Sequence, residues 1–345
     1  MTRKHVTIVA EMAWAHDGSV DKAIKIMTAA KDAGADAIGI HVTDLPTYMV
    51  PHYGSGEGRV STGKEHMKVF QYLQDINLKN ADWERFAEAA RGQGIALCVM
   101  PNDQASLAFC ESHIRPEFYV LTAAAFVEAE FIVAVAKTGR PTIFRIGGAT
   151  LGEIEAALHL FKANGGGEVT LLHGFQNYPT KLEDTNIRQM QSLHELFGVP
   201  VGLADHIDGG DPIAKAVPLL ALALGASCIE KHITWDRAEK GEDFEAALDP
   251  KDFKEFVSYV RAGEIALGER TWGPLSPAAE RYRGVSRKRM VAARAIKSGT
   301  VLTRADVCFK RGDVGISPAQ LDAVLGRTAK TDLVENDGIT LEDLL

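Results

Sequence analysis

The sequence lacks the features that mark secreted, membrane and nucleic-acid-binding proteins. Its 345 residues hold four cysteines without a Cys-x-x-Cys pair, so neither a disulfide framework nor a thiolate zinc site is expected. No apolar run has transmembrane length, and residues 1–10 lack a signal-peptide core and cleavage site. The net charge is −8 and no basic run occurs, which disfavours nucleic acid and anionic membranes as partners. These absences predict a cytoplasmic protein.

What is present is a regular alternation of short apolar runs and longer amphipathic runs. Near-continuous apolar strands separated by helices are typical of a parallel sheet covered on both faces. No Gly-x-Gly-x-x-Gly follows the first strand, which disfavours a dinucleotide-binding fold. The predicted strands are residues 6–10, 35–40, 95–100, 118–121, 141–144, 169–172, 200–203 and 228–231. The main predicted helices are residues 20–33, 81–91, 126–137, 151–163, 185–197 and 212–224. Eight such units within residues 1–268 predict an α/β protein with a (β/α)8 TIM barrel.

The last part of the chain has a different texture. Gly and Pro residues within 269–285 are typical of a linker. Residues 286–345 hold short strand-like runs at 291–294, 305–309 and 332–334, separated by turn residues. This pattern predicts a small β-rich domain.

Two histidines come at the ends of neighbouring predicted strands. His206 follows the seventh strand, and His232 follows the eighth. Active sites of such barrels lie at the carboxyl ends of the strands, and adjacent strands are about 4.8 Å apart. Two imidazoles with a carboxylate from Glu11, Glu230 or Asp243 would suit Mn, Fe, Co or Zn. The alternative is that each histidine only forms hydrogen bonds at a strand end.

Other polar and aromatic side chains come at the same edge of the predicted barrel. His41 ends the second strand, and Arg145 follows Phe144 at the end of the fifth. Arg145 either points inward and holds a carboxylate or phosphate, or points outward towards Glu153. Trp14 and Tyr178 either stack on a sugar or pack within loops. Six further histidines are expected at the surface: His5, His52, His66, His113, His159 and His194.

At several motifs the chain resembles the sialic acid synthase (nonulosonate synthase) family, and the resemblance covers essentially the whole sequence. Family members are (β/α)8 barrels with a C-terminal antifreeze-like (SAF) domain. The barrel motifs are residues 11–18 (EMAWAHDG), 33–37 (AGADA), 171–173 (LLH), 178–180 (YPT), 204–206 (ADH), 230–234 (EKHIT) and 248–250 (LDP). The tail motifs are residues 286–287 (SR), 291–296 (VAARAI), 301–303 (VLT), 310–311 (KR) and 315–318 (GISP).

The resemblance implies a reaction and a metal. Family members add phosphoenolpyruvate to the aldehyde of a 2-acetamido sugar, releasing phosphate and giving a nine-carbon 2-keto acid. His206 and His232 match the ligands of a divalent metal that polarises the aldehyde, with Mn favoured over Mg, Co, Fe or Zn. Glu11 matches a carboxylate that transfers a proton or positions water, and Glu230 is the second catalytic candidate.

The resemblance also implies substrate contacts and a dimer. Tyr178 and Asp243 match sugar-contacting positions, and Gln176 belongs to the same predicted loop. Arg311 matches an SAF arginine that reaches into the partner's barrel and contacts the N-acyl group. The expected assembly is a domain-swapped homodimer in which one SAF domain covers the other chain's site.

Departures from the family pattern concentrate where the donor would bind. Two lysines and three hydroxyl groups of the family are missing, while Arg145 and His41 bring back at most two hydrogen-bond donors. A phosphate near charge −2 needs charge-assisted donors. The differing positions are Ala15, Gly39, His41, residues 99–103, Val120, Ala123, Ala125, Arg145, Phe244 and Ala247. We therefore expect a changed donor or reaction, unless Arg145 and His41 rebuild a phosphoenolpyruvate site.

Three functions remain open from the sequence. The first is aldol-type C–C bond formation between an acylamino sugar aldehyde and a three-carbon carboxylate donor. The second is a metal-dependent sugar isomerase, epimerase or lyase in which Glu11 or Glu230 moves the proton. The third is a non-catalytic sugar-binding homologue, which the histidine pair and Glu11 disfavour.

Overall fold

The chain forms two compact units, Met1–Gly268 and Glu269–Leu345. The structure is a computed structural model that describes residues 5–53, 62, 64, 66–175, 177–269 and 271–345. Within these described ranges, no helix is both long enough and apolar enough to cross a membrane.

Eight parallel strands close into a barrel in the first unit, with β1 paired to both β2 and β8. The strands are β1 Thr7–Glu11, β2 Ala37–Val42, β3 Ala96–Pro101, β4 Phe118–Thr122, β5 Thr142–Arg145, β6 Val169–His173, β7 Val201–Asp205 and β8 Cys228–His232. Every predicted strand overlaps one of them, and the predicted TIM barrel is confirmed.

Helices surround the barrel. They are α1 Val20–Ala33, α2 Leu45–Tyr48, α3 Val69–Ile76, α4 Asn80–Gln93, α5 Gln104–Phe109, α6 Ala129–Ala136, α7 Leu151–Ala163, α8 Gln189–Phe197, α9 Val217–Ala223 and α10 Pro250–Leu267. Local signals set their ends, as α1 shows. Its N-cap Ser19 accepts a hydrogen bond from the Lys22 N–H, and it ends at Gly34, whose φ of 95° suits glycine.

Alternation along the strands separates two apolar layers. Outward side chains such as Ile8, Ile40 and Leu203 pack in the main core against the helices. Inward side chains such as Val9 and Cys98 form a second cluster inside the barrel. Since successive strand residues point to opposite faces, this alternation fixes which polar side chains reach the barrel interior.

The second unit has its own core, built around Met290, Leu302 and Ile339. It contains α11 Pro277–Ser286 and an antiparallel pair, β9 Lys288–Ala292 with β10 Val307–Arg311. The segment predicted as a linker thus includes a helix, capped by Ser276. The prediction of a strand-like run at residues 332–334 is wrong. Leu333 forms an isolated bridge to Ile296 and belongs to no strand.

Candidate functional site

Two histidines and a glutamate meet at the carboxyl end of the barrel. His206 directly follows β7, and Glu230 and His232 lie on β8. Ligand atoms of the three side chains all lie within 4.8 Å of one another, and the imidazole centroids are 5.1 Å apart. Each of the three residues is at most 2% exposed. This arrangement is the two-histidine, one-carboxylate set that divalent transition metals favour.

Unpartnered polar atoms of the three residues mark the place where an ion fits. Among the described residues, Glu230 Oε1, His232 Nε2 and both ring nitrogens of His206 have no hydrogen-bond partner. The Ala204 backbone partly offsets the lowering of the His206 pKa. Its contact with the imidazole does not have the geometry of a hydrogen bond. Buried polar atoms are rarely left unpaired, so these atoms suit a bound cation.

Burial keeps both imidazoles neutral. It lowers the pKa of His206 to about 3, with Arg145 and Lys231 adding to the effect. Burial likewise lowers the pKa of His232 well below its usual value, helped by His206 and Arg145. Neutral imidazole is the form that binds a metal, so no proton competes for these nitrogens near neutral pH.

Arg145 points into the barrel, where two carboxylates hold it. Its Nε and Nη2 donate to Glu230 Oε2 at 3.0 and 2.7 Å, and Nη2 also donates to Glu11 Oε2. The outward alternative is wrong, because Glu153 instead bonds to Thr150 at the start of α7. Burial opposes the charge of Arg145, but Glu230 and Glu11 outweigh that effect and raise its pKa. The guanidinium is therefore largely engaged within the protein.

The remaining nitrogen of Arg145 faces weaker partners. Its Nη1 lies 3.5 Å from His41 Nε2 and 3.7 Å from Met100 Sδ. His41 Nε2 lies 3.5 Å from Glu11 Oε1, and burial lowers the pKa of His41 to about 4. Arg145 Nη1 and His41 Nε2 thus have only long contacts with these protein partners.

The two catalytic candidates differ in their surroundings. Glu11 Oε1 accepts the Ala13 N–H at 2.7 Å, so this carboxylate is held from both sides. Burial raises the pKa of Glu230 to about 7 against the lowering effect of Arg145, and neighbouring Glu11 raises it further. A carboxyl group with a pKa of about 7 can both donate and accept a proton near neutral pH, which is what acid–base chemistry needs.

Aromatic rings and a further carboxylate border the metal candidates. The Tyr178 ring lies edge-on to both His206 and His232, with centroids 5.2 and 5.6 Å away. Asp243 Oδ2 lies 4.0 Å from His232 Nδ1, and burial, followed by Glu242, raises the Asp243 pKa well above its usual value. Trp14 is 7% exposed and packs in one cluster with apolar side chains of α2 and α3, such as Leu45 and Leu73, and its ring centroid lies 6.4 Å from that of His41.

Gln176 falls outside the residues that the structure describes. Arg311 belongs to the second unit, where its Nε and Nη2 donate to the Val285 carbonyl at 3.0 and 2.8 Å. His173 ends β6, and its Nε2 lies 2.9 Å from the Thr185 carbonyl oxygen. The six histidines expected at the surface are all exposed.

Asp205 and Lys231 are buried charged residues to which the sequence patterns assign no role. Each directly precedes a candidate metal ligand, and each is almost fully buried on the outer side of the barrel wall. The signal that could have found them is strand alternation, which puts the neighbour of an inward histidine on the opposite face.

Comparison with known proteins places the whole chain. The NeuB family model matches residues 26–271, and the SAF domain model matches residues 290–345. The chain belongs to the NeuB family. It is 31% identical to a pseudaminic acid synthase of Campylobacter jejuni, over 99% of this chain and 97% of that protein.

Two further NeuB relatives support the placement. The chain is 27% identical to an N,N'-diacetyllegionaminic acid synthase of Legionella pneumophila, over 94% of this chain and 91% of that protein. The crystal structure of an N-acetylneuraminic acid synthetase from Leptospira borgpetersenii, in complex with citrate, has a TM-score of 0.69 and 27% identity. The match covers 81% of this chain and 91% of the Leptospira chain. The named relatives of this NeuB chain are synthases of acidic sugars, so the predicted family of enzymes with a SAF domain is confirmed.

Proposed function

We propose that this NeuB protein is a metal-dependent enzyme that joins the aldehyde carbon of an acylamino sugar to a three-carbon carboxylate donor. The observation that carries the proposal is the buried set of His206, Glu230 and His232, whose unpartnered atoms converge on one point. The names of its relatives supply the substrate class. A cytoplasmic location stays a prediction.

The residues divide into three roles. His206, His232 and Glu230 would hold the divalent ion, which when bound polarises a carbonyl oxygen. Glu11 and Glu230 both accept a hydrogen bond from Arg145 Nη2, so Glu11 lies beside this set. There it would move a proton or orient water. In the condensation, the donor's methylene carbon bonds to the aldehyde carbon and the aldehyde oxygen gains a proton. With phosphoenolpyruvate, water is consumed and phosphate is released.

Substrate contacts are assigned to the remaining polar groups. Tyr178 and Asp243 border the metal set and would contact the sugar. Arg145 Nη1 and His41 would contact the donor carboxylate, because their partners within the protein are distant. Gln176 and the partner subunit's Arg311 remain proposed sugar contacts.

The metal part of the proposal is tested by metal content. We expect the His206→Ala and His232→Ala variants each to lose one equivalent of bound divalent ion, measured by mass spectrometry after loading with Mn, Mg, Co, Fe or Zn. His113→Ala is the matched control, because its side chain is exposed, pairs with Glu84 at 2.8 Å and stacks on Phe109. Full metal content in either barrel variant would refute the site.

The donor part predicts weak use of phosphoenolpyruvate. Each lost charged contact to phosphate costs roughly 1.5–3 kcal/mol, so two missing lysines lower kcat/KM by some two to four decades. Arg145 recovers little, since Glu11 and Glu230 already bind it.

The donor assay follows phosphate release with N-acetylmannosamine and 2,4-diacylamino sugars, with each metal in turn. Turnover of about one per second at micromolar phosphoenolpyruvate would overturn the donor inference and return the chain to ordinary nonulosonate synthesis. A changed sugar without C–C bond formation would instead favour the isomerase, epimerase or lyase.

The homodimer is proposed from apolar side chains exposed in the second unit. Trp272 is 98% exposed, and Tyr282 and Val285 on α11 are 70% and 67% exposed. Tyr282 and Val285 are three residues apart on α11 and so lie on one side of the helix, and exposed apolar groups close together are typical of interaction surfaces. We expect a dimer in light scattering at micromolar concentration that Tyr282→Glu weakens, with Tyr259→Glu on α10 as control. A monomeric wild type would contradict the assembly.

A further inference from the structure

Behind the two candidate metal histidines lies a buried ion pair that the chemistry does not use. Asp205 and Lys231 are 3% and 0% exposed, and their charged atoms Oδ2 and Nζ lie 3.1 Å apart. Asp205 immediately precedes His206, and Lys231 immediately precedes His232. Alternation turns the histidines inward and the ion pair outward, so each charged residue shares a peptide bond with one ligand.

The pair encloses the backbone of His206. Lys231 Nζ donates to Asp205 Oδ2 and to the Ile207 carbonyl, in each case at 3.1 Å. Asp205 Oδ1 accepts the Ile207 N–H at 3.0 Å. One lysine on β8 therefore binds the chain on both sides of the histidine that follows β7.

Neighbouring backbone bonds complete the restraint. The His206 carbonyl accepts the Thr180 N–H at 2.8 Å, and the His232 carbonyl accepts the Leu248 N–H at 2.9 Å. These bonds hold His206 against the stretch that follows β6, and His232 against the residues that precede α10. Among the described contacts, the side-chain bonds of Lys231 tie the His206 turn to the strand that carries His232.

Stability alone does not explain such a pair. Removing two charges from water costs more than their attraction often returns, so well-packed apolar residues would serve stability as well or better. A fixed geometry does explain it, because a metal site needs its ligands held within fractions of an ångström.

We propose that Asp205 and Lys231 are a positioning pair that sets the separation and orientation of the two imidazoles for a single divalent ion. The proposal rests on the metal site of the proposed function. It assigns neither residue a contact with substrate or metal.

The test uses the double variant Asp205→Asn/Lys231→Met in the full chain. The introduced asparagine keeps an oxygen for the Ile207 N–H, while the introduced methionine fills the lysine's volume without a charge. Metal-free protein is titrated with Co²⁺, and the visible absorption spectrum reports both affinity and ligand geometry. Urea unfolding of the same metal-free samples reports stability. Lys215→Met is the matched control, because Lys215 pairs with Asp252 and Glu255 away from the site.

We expect the Co²⁺ dissociation constant of the double variant to rise about 10–100-fold, with an altered spectrum and a urea midpoint close to wild type. The Lys215→Met control is expected to match wild type in its Co²⁺ dissociation constant, its spectrum and its urea midpoint. An unchanged dissociation constant and spectrum would overturn the proposal, whatever the urea midpoint. If the double variant does not fold, the isosteric Asp205→Asn variant is judged by the same criterion.

Titration of the wild type with Co²⁺ distinguishes failure of the positioning proposal from failure of the proposed function. Wild-type binding that is lost in His206→Ala establishes the site on which the pair acts. If wild type and His206→Ala bind Co²⁺ equally, both the metal site and the positioning pair are refuted.

Discussion

At the scale of single residues, Arg145 determines the electrostatics of the barrel interior. It brings a positive charge between Glu11 and Glu230, both of which are 1% exposed. Without a counter-ion, two buried carboxylates that close would not both stay ionised. Arg145 is therefore as much a structural counter-ion as a candidate substrate contact.

Replacing this counter-ion should weaken the metal-free protein. We expect Arg145→Met to lower the free energy of unfolding by about 3–5 kcal/mol, because it leaves buried charge uncompensated. Urea unfolding at neutral pH measures the effect. Arg85→Met is the control: its pair with Asp21 is exposed and should contribute less than about 1 kcal/mol. Equal losses in the two variants would contradict this view of Arg145.

His16 should make stability depend on pH. It is 1% exposed, its Nδ1 accepts the Gly18 N–H at 3.2 Å, and its Nε2 has no hydrogen-bond partner among the described residues. Burial, helped by His41 and Lys22, lowers its pKa to about 3. The unfolded chain takes up this proton below about pH 6.5 while the folded chain does not, so stability falls as the pH drops from 6.5 towards 3.

The variant His16→Asn removes the imidazole that takes up this proton in the unfolded chain. The asparagine side chain keeps an acceptor for the Gly18 N–H. We expect its stability relative to wild type to improve by up to about 2 kcal/mol between pH 7.5 and pH 5. Urea unfolding of metal-free protein at both pH values measures the change. Parallel pH profiles for the two proteins would show that His16 is not the group responsible.

At the scale of elements, a glycine on β2 leaves the space that the Glu11 side chain of β1 occupies. Gly39 pairs in register with Glu11, and a Cβ on Gly39 would lie within 2.4 Å of Glu11 Oε2. The space where a side chain would project from β2 is filled by the carboxylate that bonds to Arg145. Gly39 and Arg145 thus both depend on where the Glu11 carboxylate lies.

A methyl group on Gly39 tests this dependence. We expect Gly39→Ala to destabilise the protein by about 1–3 kcal/mol through overpacking against Glu11. In Gly92→Ala the added Cβ on α4 meets nothing within 4 Å, so stability should rise by about 0.5–1 kcal/mol. Thermal unfolding separates the two outcomes, and a neutral Gly39→Ala would mean that Glu11 can move aside freely.

At the scale of the whole molecule, separate cores support the two units. Buried side chains of the barrel and those of residues 290–344 form distinct clusters. Separate cores allow a change in one unit to act locally, because cooperative opening follows contiguous packing.

Truncating one core residue in the small unit tests that independence. We expect Leu302→Ala, at a position 1% exposed, to destabilise the unit Glu269–Leu345 by about 2–5 kcal/mol. Hydrogen exchange followed by mass spectrometry should show faster exchange there and unchanged exchange in the barrel strands. Phe161→Ala in the barrel core should give the reverse pattern. Faster exchange throughout the chain after Leu302→Ala would show that the units unfold together.

The sequence by itself determined the barrel, the approximate strand positions and the location of the histidine pair. Periodicity and strand-end position depend on neighbouring residues along the chain, so they can be read without coordinates. The same reasoning brought Glu11, Glu230, His206 and His232 to one end of the barrel, where the structure has them.

Only the tertiary structure decided what those side chains bind. Arg145 was predicted to hold a substrate anion or a helix carboxylate, yet it pairs with Glu11 and Glu230, which are 134 and 85 residues away in the chain. The Asp205–Lys231 pair depends in the same way on the side-by-side placement of β7 and β8. Pairings between charges so far apart in sequence follow from barrel closure, which brings every strand end to one rim, and no local pattern encodes them.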